Sequence, residues 1–419
     1  MKKTVLALGL AAAALTQSVL AAEGPVPRGI PHLDHVFVIM MENHGFSQIA
    51  NNPNAPFLNE YAQSANLATN YFAVAHPSLT NYLEVVGGSN FGVLSDNNPD
   101  WHNAGCSTNL ATGVAATDNP PTGPICPIAG SGTDAETPAV DYTNETQGPP
   151  GENNLDGVAS IPAESNIVGK TIADQLVARN GSWKAYEESL PPEGADRINY
   201  ADGFYSNLTD FSMIFPVLNP PLTQADVVSL YAAKHAPFVY FKNVQRGNDR
   251  DNSLSNIVGF ESGDGLYADL RSGRVPTFSF IAPNQCNDQH GRGNAGAFCN
   301  YDPLDDGSQE GLNPALIYRG DVTAKRIVDA IHDSPAWRQG RSAIVLLWDE
   351  NDYSLAPNTN QVMTIVDTNY SRHRVESSRF YTHYSLLKTL EGAFNLPCLN
   401  HACDANVATM SDLFADSHH

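Results

Sequence analysis

Two places in this 419-residue chain run an apolar segment straight into oxygen-bearing side chains. His35-Val-Phe-Val-Ile-Met-Met41 is followed by Glu42-Asn43-His44, and Ser342-Ala-Ile-Val-Leu-Leu-Trp348 by Asp349-Glu350. Each run has the length and β-branched content of a strand covered on both faces. In an open α/β sheet, chemistry gathers beyond the carboxyl ends of the strands. Glu42, Asn43, Asp349 and Glu350 can therefore meet although they are distant in sequence. An all-oxygen set of this kind suits one hard divalent cation. Either pair alone would read as polar residues leaving a buried strand; the two together read as a site.

A hydroxyl is available to such a site. In His76-Pro77-Ser78-Leu79-Thr80-Asn81-Tyr82-Leu83 the spacing predicts a helix opening at Ser78 and stopping at Gly87-Gly88. A serine there is first an N-cap, its oxygen accepting an orphan backbone N–H. A helix start also suits an anion, because free N–H groups and the helix dipole both favour negative charge. A serine so placed and touching a cation can ionise and attack phosphorus. The strand Thr277–Ala282 empties into a loop carrying Asp288 and His290. His44, His76 and His383 are weaker candidates, since a lone histidine is more often a structural hydrogen-bonding group. Trp183, Tyr186 and Glu188 either line a substrate approach or simply pack.

The elements that must position these groups alternate. Helical spacing covers 55–65, 171–179, 264–270, 323–333 and 384–394. Strands are predicted over 182–188, 237–241 and 277–282, with a short extended run at 70–75. This alternation predicts an α/β fold: a mostly parallel central sheet with helices on both faces. Residues 97–162 are rich in Asn, Asp, Pro, Gly and Thr and lack periodicity, which reads as a long loop-rich surface insertion. It is embedded in a single domain over 22–419.

Residues 1–21 read as a secretory signal peptide, with Lys2-Lys3 ahead of an apolar stretch and small residues at Val19-Leu20-Ala21-Ala22. A periplasmic or secreted protein is expected, with no stable membrane insertion. The formal net charge of −22 disfavours nucleic acid and anionic membranes as partners. The six cysteines of an exported chain read as three local disulfides, Cys106–Cys126, Cys286–Cys299 and Cys398–Cys403. No HExxH, P-loop or GxGxxG context occurs, which leaves zincin, NTPase and dinucleotide readings without support.

Five pieces in order resemble the bacterial and fungal acid phosphatase and phospholipase C (phosphoesterase) family of the alkaline-phosphatase-like superfamily. They are Met41-Glu42-Asn43-His44, the helix start at His76-Pro77-Ser78, Asn287-Asp288-x-His290, Trp348-Asp349-Glu350, and Thr382-His383-Tyr384-Ser385-Leu386-Leu387. The resemblance runs from about Asp34 to Cys403. It implies one divalent metal ion held by Glu42, Asn43, Ser78, Asp349 and Glu350, with Ser78 as nucleophile. It also implies that His290 serves the leaving oxygen or binds phosphate, with Asp288 orienting it. Thr80 stands where many relatives carry proline, which makes it a second hydroxyl candidate. Gly45 replaces the usual hydroxyl residue after Glu-Asn-His. No histidine follows Asp349-Glu350 as a two-zinc phosphatase would require, and no sulfatase-type Ser-x-Pro-x-Arg surrounds Ser78. The activity implied is hydrolysis of small phosphate esters, acid phosphatase in type. A phospholipase C-type diesterase is the alternative, and a non-catalytic anion-binding surface protein a further one.

Overall fold

The computed structural model describes residues 23–76, 78–91, 169–190, 230–241, 243–244, 251–291, 314–351, 360–371 and 374–416. The expected signal peptide, the 97–162 insertion and the Cys106–Cys126 pair lie outside them. The strands are β1 (His35–Met41), β2 (Asn66–Phe72), β3 (Trp183–Glu187), β4 (Ile257–Gly259), β5 (Phe278–Ala282), β6 (Ser342–Trp348), β7 (Gln361–Thr368), β8 (Glu376–Ser377) and β9 (Tyr381–Thr382). The helices are α1 (Phe46–Ile49), α2 (Pro56–Ser64), α3 (Ser78–Gly87), α4 (Ile172–Val177), α5 (Leu266–Ser272), α6 (Pro314–Asp333), α7 (Pro335–Arg338), α8 (His383–Ala393) and α9 (Ser411–Phe414).

Among the described residues these strands form one nine-stranded sheet in the order β4-β3-β5-β1-β6-β7-β2-β8, with β9 also paired to β2. All neighbours from β4 to β6 are parallel. β7 runs antiparallel to both β6 and β2. The continuous apolar runs of β1 and β6 follow from their central place: Val36–Met41 and the whole of β6 are buried. Each Ile, Leu or Phe so covered contributes roughly 1.5–3 kcal/mol.

Helices pack around the sheet, α3 against α8 and α6 against α2, α5 and α7. The buried side of α6 repeats every three to four residues through Leu316, Ile317, Gly320, Ala324, Ile327, Val328 and Ile331. This helix begins at Pro314, well before the expected 323, because its first turns bury Leu316 and Ile317. It also supplies a cap in trans. Ala55 has no side chain to cap α2, and Asp321 accepts the orphan N–H groups of Phe57 and Leu58 at 3.1 and 2.8 Å.

One expected strand is absent. Residues 237–241 carry a 3-10 helix, Pro237–Tyr240, not a strand. Pro237 has no N–H to give a ladder, and Phe238 packs on Trp183 with ring centroids 4.5 Å apart. Of the extended run expected at 70–75, residues 70–72 are the end of β2, which starts earlier, at Asn66, and 73–75 lie beyond the strand. β7 has no counterpart in the sequence reading.

Candidate active site

The sheet brings the site together by register. β1 lies between β5 and β6, all parallel, so three carboxyl ends open on one edge. Met41 pairs with Trp348, which sets Glu42 beside Asp349. The ladder continues past the strands: the Asp349 N–H donates to the Met41 carbonyl at 3.1 Å and the Glu42 N–H to the Asp288 carbonyl at 3.0 Å. Asn43 then turns back with φ 54°, a left-handed conformation that asparagine accepts better than most residues. Its N–H donates to Asp349 Oδ1 at 2.9 Å.

Ser78 arrives on the ten-residue α3. The approach to that helix is pinned by Asn81, whose Oδ1 accepts the Val74 and Ala75 N–H groups at 3.0 Å each and whose Nδ2 donates to the Ala75 carbonyl at 2.8 Å. At the far end Gly88 has φ +69°, and a Cβ there would stand 2.5 Å from the Leu399 carbonyl oxygen, so glycine is required. The Ser78 hydroxyl reaches Glu42 Oε2 at 3.2 Å and Glu350 Oε1 at 3.1 Å. Having one hydrogen, it donates to one carboxylate at a time. Thr80, two residues on, faces a different side of the helix.

The structure thus brings together Glu42, Asn43, Ser78, Asp349 and Glu350, all buried. Asp288 joins them, its Oδ1 accepting the His290 N–H at 2.9 Å. The His290 ring nitrogen Nδ1 stands 3.6 Å from Glu42 Oε2. Four carboxylates so close cannot all ionise cheaply. Burial, and then the charges of Glu42 and Glu350, push the Asp349 carboxyl well above its ordinary range. Burial followed by Glu42 does the same to Asp288. Burial also raises Glu350, against the pull of His76. Glu42 goes the other way: burial would raise it, but His235, with Lys234 and His290 behind, holds it well below the ordinary value.

Of the weaker histidines, His76 Nδ1 lies 2.7 Å from Glu350 Oε2 and so stands beside the site. His44 Nδ1 contacts the Glu42 carbonyl at 3.0 Å. His383 is a support: its Nε2 donates to the Asp349 carbonyl at 2.7 Å, and its Nδ1 accepts the Tyr71 hydroxyl at 3.0 Å. Burial pushes its pKa down to about 4, which keeps that tautomer neutral. Trp183 and Tyr186 are core residues. Glu188 holds the Asp288 loop, accepting from the Asn284 N–H and from Asn287 Nδ2 at 3.1 and 2.8 Å. The sequence reading missed His235, which lies 2.9 Å from Glu42 Oε1. Its available signal was a Lys-His pair inside the apolar run 231–241, since charge in such a run needs a partner.

Among the described residues no three His, Cys, Asp or Glu side chains already stand in a metal-holding arrangement. The fit to a cation rests on donor type and unmet demand. Asp349 Oδ2 and Asn43 Oδ1 are buried oxygens without a hydrogen-bond partner, beside three more carboxylates. Hard oxygens with surplus negative charge are what a hard divalent ion requires.

Cys398 and Cys403 are bonded, as the sequence spacing predicts. Cys286 is disulfide-bonded as well, and its expected partner Cys299 lies outside the described residues.

Known proteins resemble the chain along much of its length. It is 22% identical to an acid phosphatase of Aspergillus fumigatus over 88% of this chain and 57% of that protein. A phosphate-repressible acid phosphatase of Penicillium chrysogenum is 24% identical, over 90% of this chain and 63% of that one. The chain therefore spans about three-fifths of these fungal relatives. A phosphatidylinositol-3-phosphatase of Mycobacterium tuberculosis is 22% identical over 98% of this chain and 93% of its own length. A solved structure from the alkaline phosphatase superfamily of Vibrio parahaemolyticus matches with a TM-score of 0.39 and 11% identity, over 88% of this chain and 69% of that one. Residues 50–301, more than half of the sequence, match the profile of the Phosphoesterase family, and the chain belongs to that family.

Proposed function

We propose that the chain is an exported, metal-dependent phosphoric-ester hydrolase of acid phosphatase type that works through a phosphorylated Ser78. The observation that supports this best is the Ser78 hydroxyl at the head of α3, within 3.2 Å of carboxylate oxygens from two different strand ends. Glu42, Asn43, Ser78, Asp349 and Glu350 would hold one divalent cation, which when bound supplies the positive charge that draws in phosphate and favours the alkoxide.

The chain's own groups account for the proton and bond changes. The Ser78 oxygen bonds to phosphorus as the bond from phosphorus to the ester oxygen breaks. The hydroxyl proton passes to the carboxylate that it already contacts, and His290 protonates the departing oxygen. Water then attacks the phosphoserine and gives its proton to His290, while the carboxylate returns its proton to the Ser78 oxygen as the bond from that oxygen to phosphorus breaks, so all three groups are restored. Asp288 keeps His290 in place through the backbone N–H.

Export is supported by the Lys2-Lys3 leader pattern and by bonded cysteines, with no free cysteine among the described residues. No helix among the described residues is long and apolar enough to cross a membrane. Small phosphate esters are the proposed substrates. A lipid head group is the second reading, favoured by the tuberculosis relative that the chain spans almost end to end, itself named for a phosphoinositide.

The test is turnover of p-nitrophenyl phosphate, its bis ester, phosphatidylinositol 3-phosphate and phosphatidylcholine by purified protein. Monoester hydrolysis that Ser78→Ala abolishes is expected, with the fold retained, because Ser78 is the first residue of α3 and its hydroxyl donates to carboxylates and does not cap the helix. Acid quenching during turnover should leave phosphate on Ser78. Activity transferred to Thr80, or faster cleavage of phosphatidylcholine than of any monoester, would overturn the assignment. Binding of phosphate without turnover of any ester would leave an anion-binding protein.

A further inference from the structure

His235 is absent from the mechanism above, yet its two ring nitrogens face two of the site's carboxylates. It sits on the short 3-10 turn Ala233–His235 and is 2% exposed. Its ring lies flat on Tyr82, with centroids 5.2 Å apart and planes at 8°. Tyr82 is one helical turn beyond Ser78 on α3, so the nucleophile and the surface that backs His235 belong to one rigid element. Nε2 lies 2.9 Å from Glu42 Oε1, and Nδ1 3.6 Å from Asp288 Oδ2.

Glu42 is thereby divided. Oε1 turns to His235, while Oε2 faces Ser78 at 3.2 Å and His290 at 3.6 Å. A carboxylate is planar, so fixing one oxygen fixes the direction of the other. We infer that His235 is a positioning residue that orients Glu42 through Nε2 so that only Oε2 is offered to a cation, while its Nδ1 separately steadies Asp288. Partners that orient a metal-binding side chain typically change metal affinity by roughly 10–100-fold. The inference rests on the metal-dependent reading above.

The two ring nitrogens can be tested apart. A glutamine amide nitrogen falls near the Nε2 position and an asparagine amide nitrogen near Nδ1. Metal-free wild type, His235→Gln and His235→Asn are titrated calorimetrically with Mg2+, Ca2+, Mn2+ and Zn2+, with near-ultraviolet circular dichroism confirming the fold. Relative to wild type with its preferred ion, His235→Gln should bind within about fivefold, and His235→Asn should lose roughly 10–100-fold. Equal losses in both variants, or a loss confined to His235→Gln, would overturn the inference. Should either variant not fold, Asp288→Asn decides: with the Nε2 contact intact, affinity should stay within about fivefold, and a larger loss would overturn the separation of roles. Failure of the wild type to bind any of the four ions would instead overturn the metal reading itself.

Discussion

Asp349→Asn should make the metal-free protein more stable while weakening cation binding at the proposed site. Asp349 Oδ1 accepts the Asn43 N–H at 2.9 Å, a role an amide oxygen can keep. Asp349 Oδ2 is buried without a hydrogen-bond partner and lies beside Glu42. In the variant that position becomes an NH2 group that donates to the Glu42 carboxylate without needing a bound proton, and one ionisable member of the crowded cluster disappears. A hydrogen bond to a charged acceptor is worth about 1.5–3 kcal/mol. We expect a gain of about 2 kcal/mol and a rise in Tm of a few degrees, read by thermal denaturation in chelator. A saturating cation should reverse the order, since wild type at 100 times Kd gains about 2.7 kcal/mol that the variant forfeits. The pH dependence carries the same sign. Asp288, Asp349 and Glu350 have folded-state pKa values raised above those of the unfolded chain, so their contribution is fully present below about pH 4 and is lost as pH rises through the folded values. Glu42, shifted down, acts in the opposite sense. The metal-free wild type should therefore lose stability on leaving acid more steeply than Asp349→Asn does. A metal-free variant that melts below wild type, or one that a cation stabilises as much as wild type, would refute this account of the cluster.

His290→Ala should slow hydrolysis of esters with poor leaving groups by roughly 100-fold or more, and p-nitrophenyl phosphate less, because its leaving group hardly needs a proton; steady-state rates on the two substrate types check this. Replacing both Cys398 and Cys403 by serine should cost about 2 kcal/mol, the loop-closure entropy of so short a ring, with activity retained; denaturant unfolding beside an activity assay reads both.

The parts of this site visible in the sequence were those governed by a rule of local form. Apolar strands ending in Glu42-Asn43 and Asp349-Glu350 announce themselves, because burial on both faces leaves no polar residue until the strand leaves the core. Ser78 was visible through helix-start chemistry, and Asp288 and His290 through the exit of β5. His235 was not, because a three-residue 3-10 turn has no periodicity and its partners come from other strand ends. Its neighbour segment 237–241 was misjudged for a related reason: Phe238, Val239 and Tyr240 are all buried, so an apolar run there does not separate a strand from a tight turn. β7 carries an adequate β-branched run in Val362-Met-Thr-Ile-Val366, but it breaks the pattern of alternating strand and helix that organised the reading.

The place of β1 in the sheet bears on when the site can exist at all. Val36 pairs with Phe278 on one side and Ala343 on the other, so the first strand to be synthesised finds neither neighbour until most of the chain has followed. Closing loops of that size costs entropy before any contact rewards it, and topologies dominated by such pairings fold slowly. A growing chain has Glu42 and Ser78 long before Asp349 and Glu350, and in that interval the carboxylate cluster proposed to hold a cation and to contact the Ser78 hydroxyl is incomplete. The proposed site is therefore completed only with the last third of the polypeptide, and a fragment truncated before β6 would lack the central partner that lines it up.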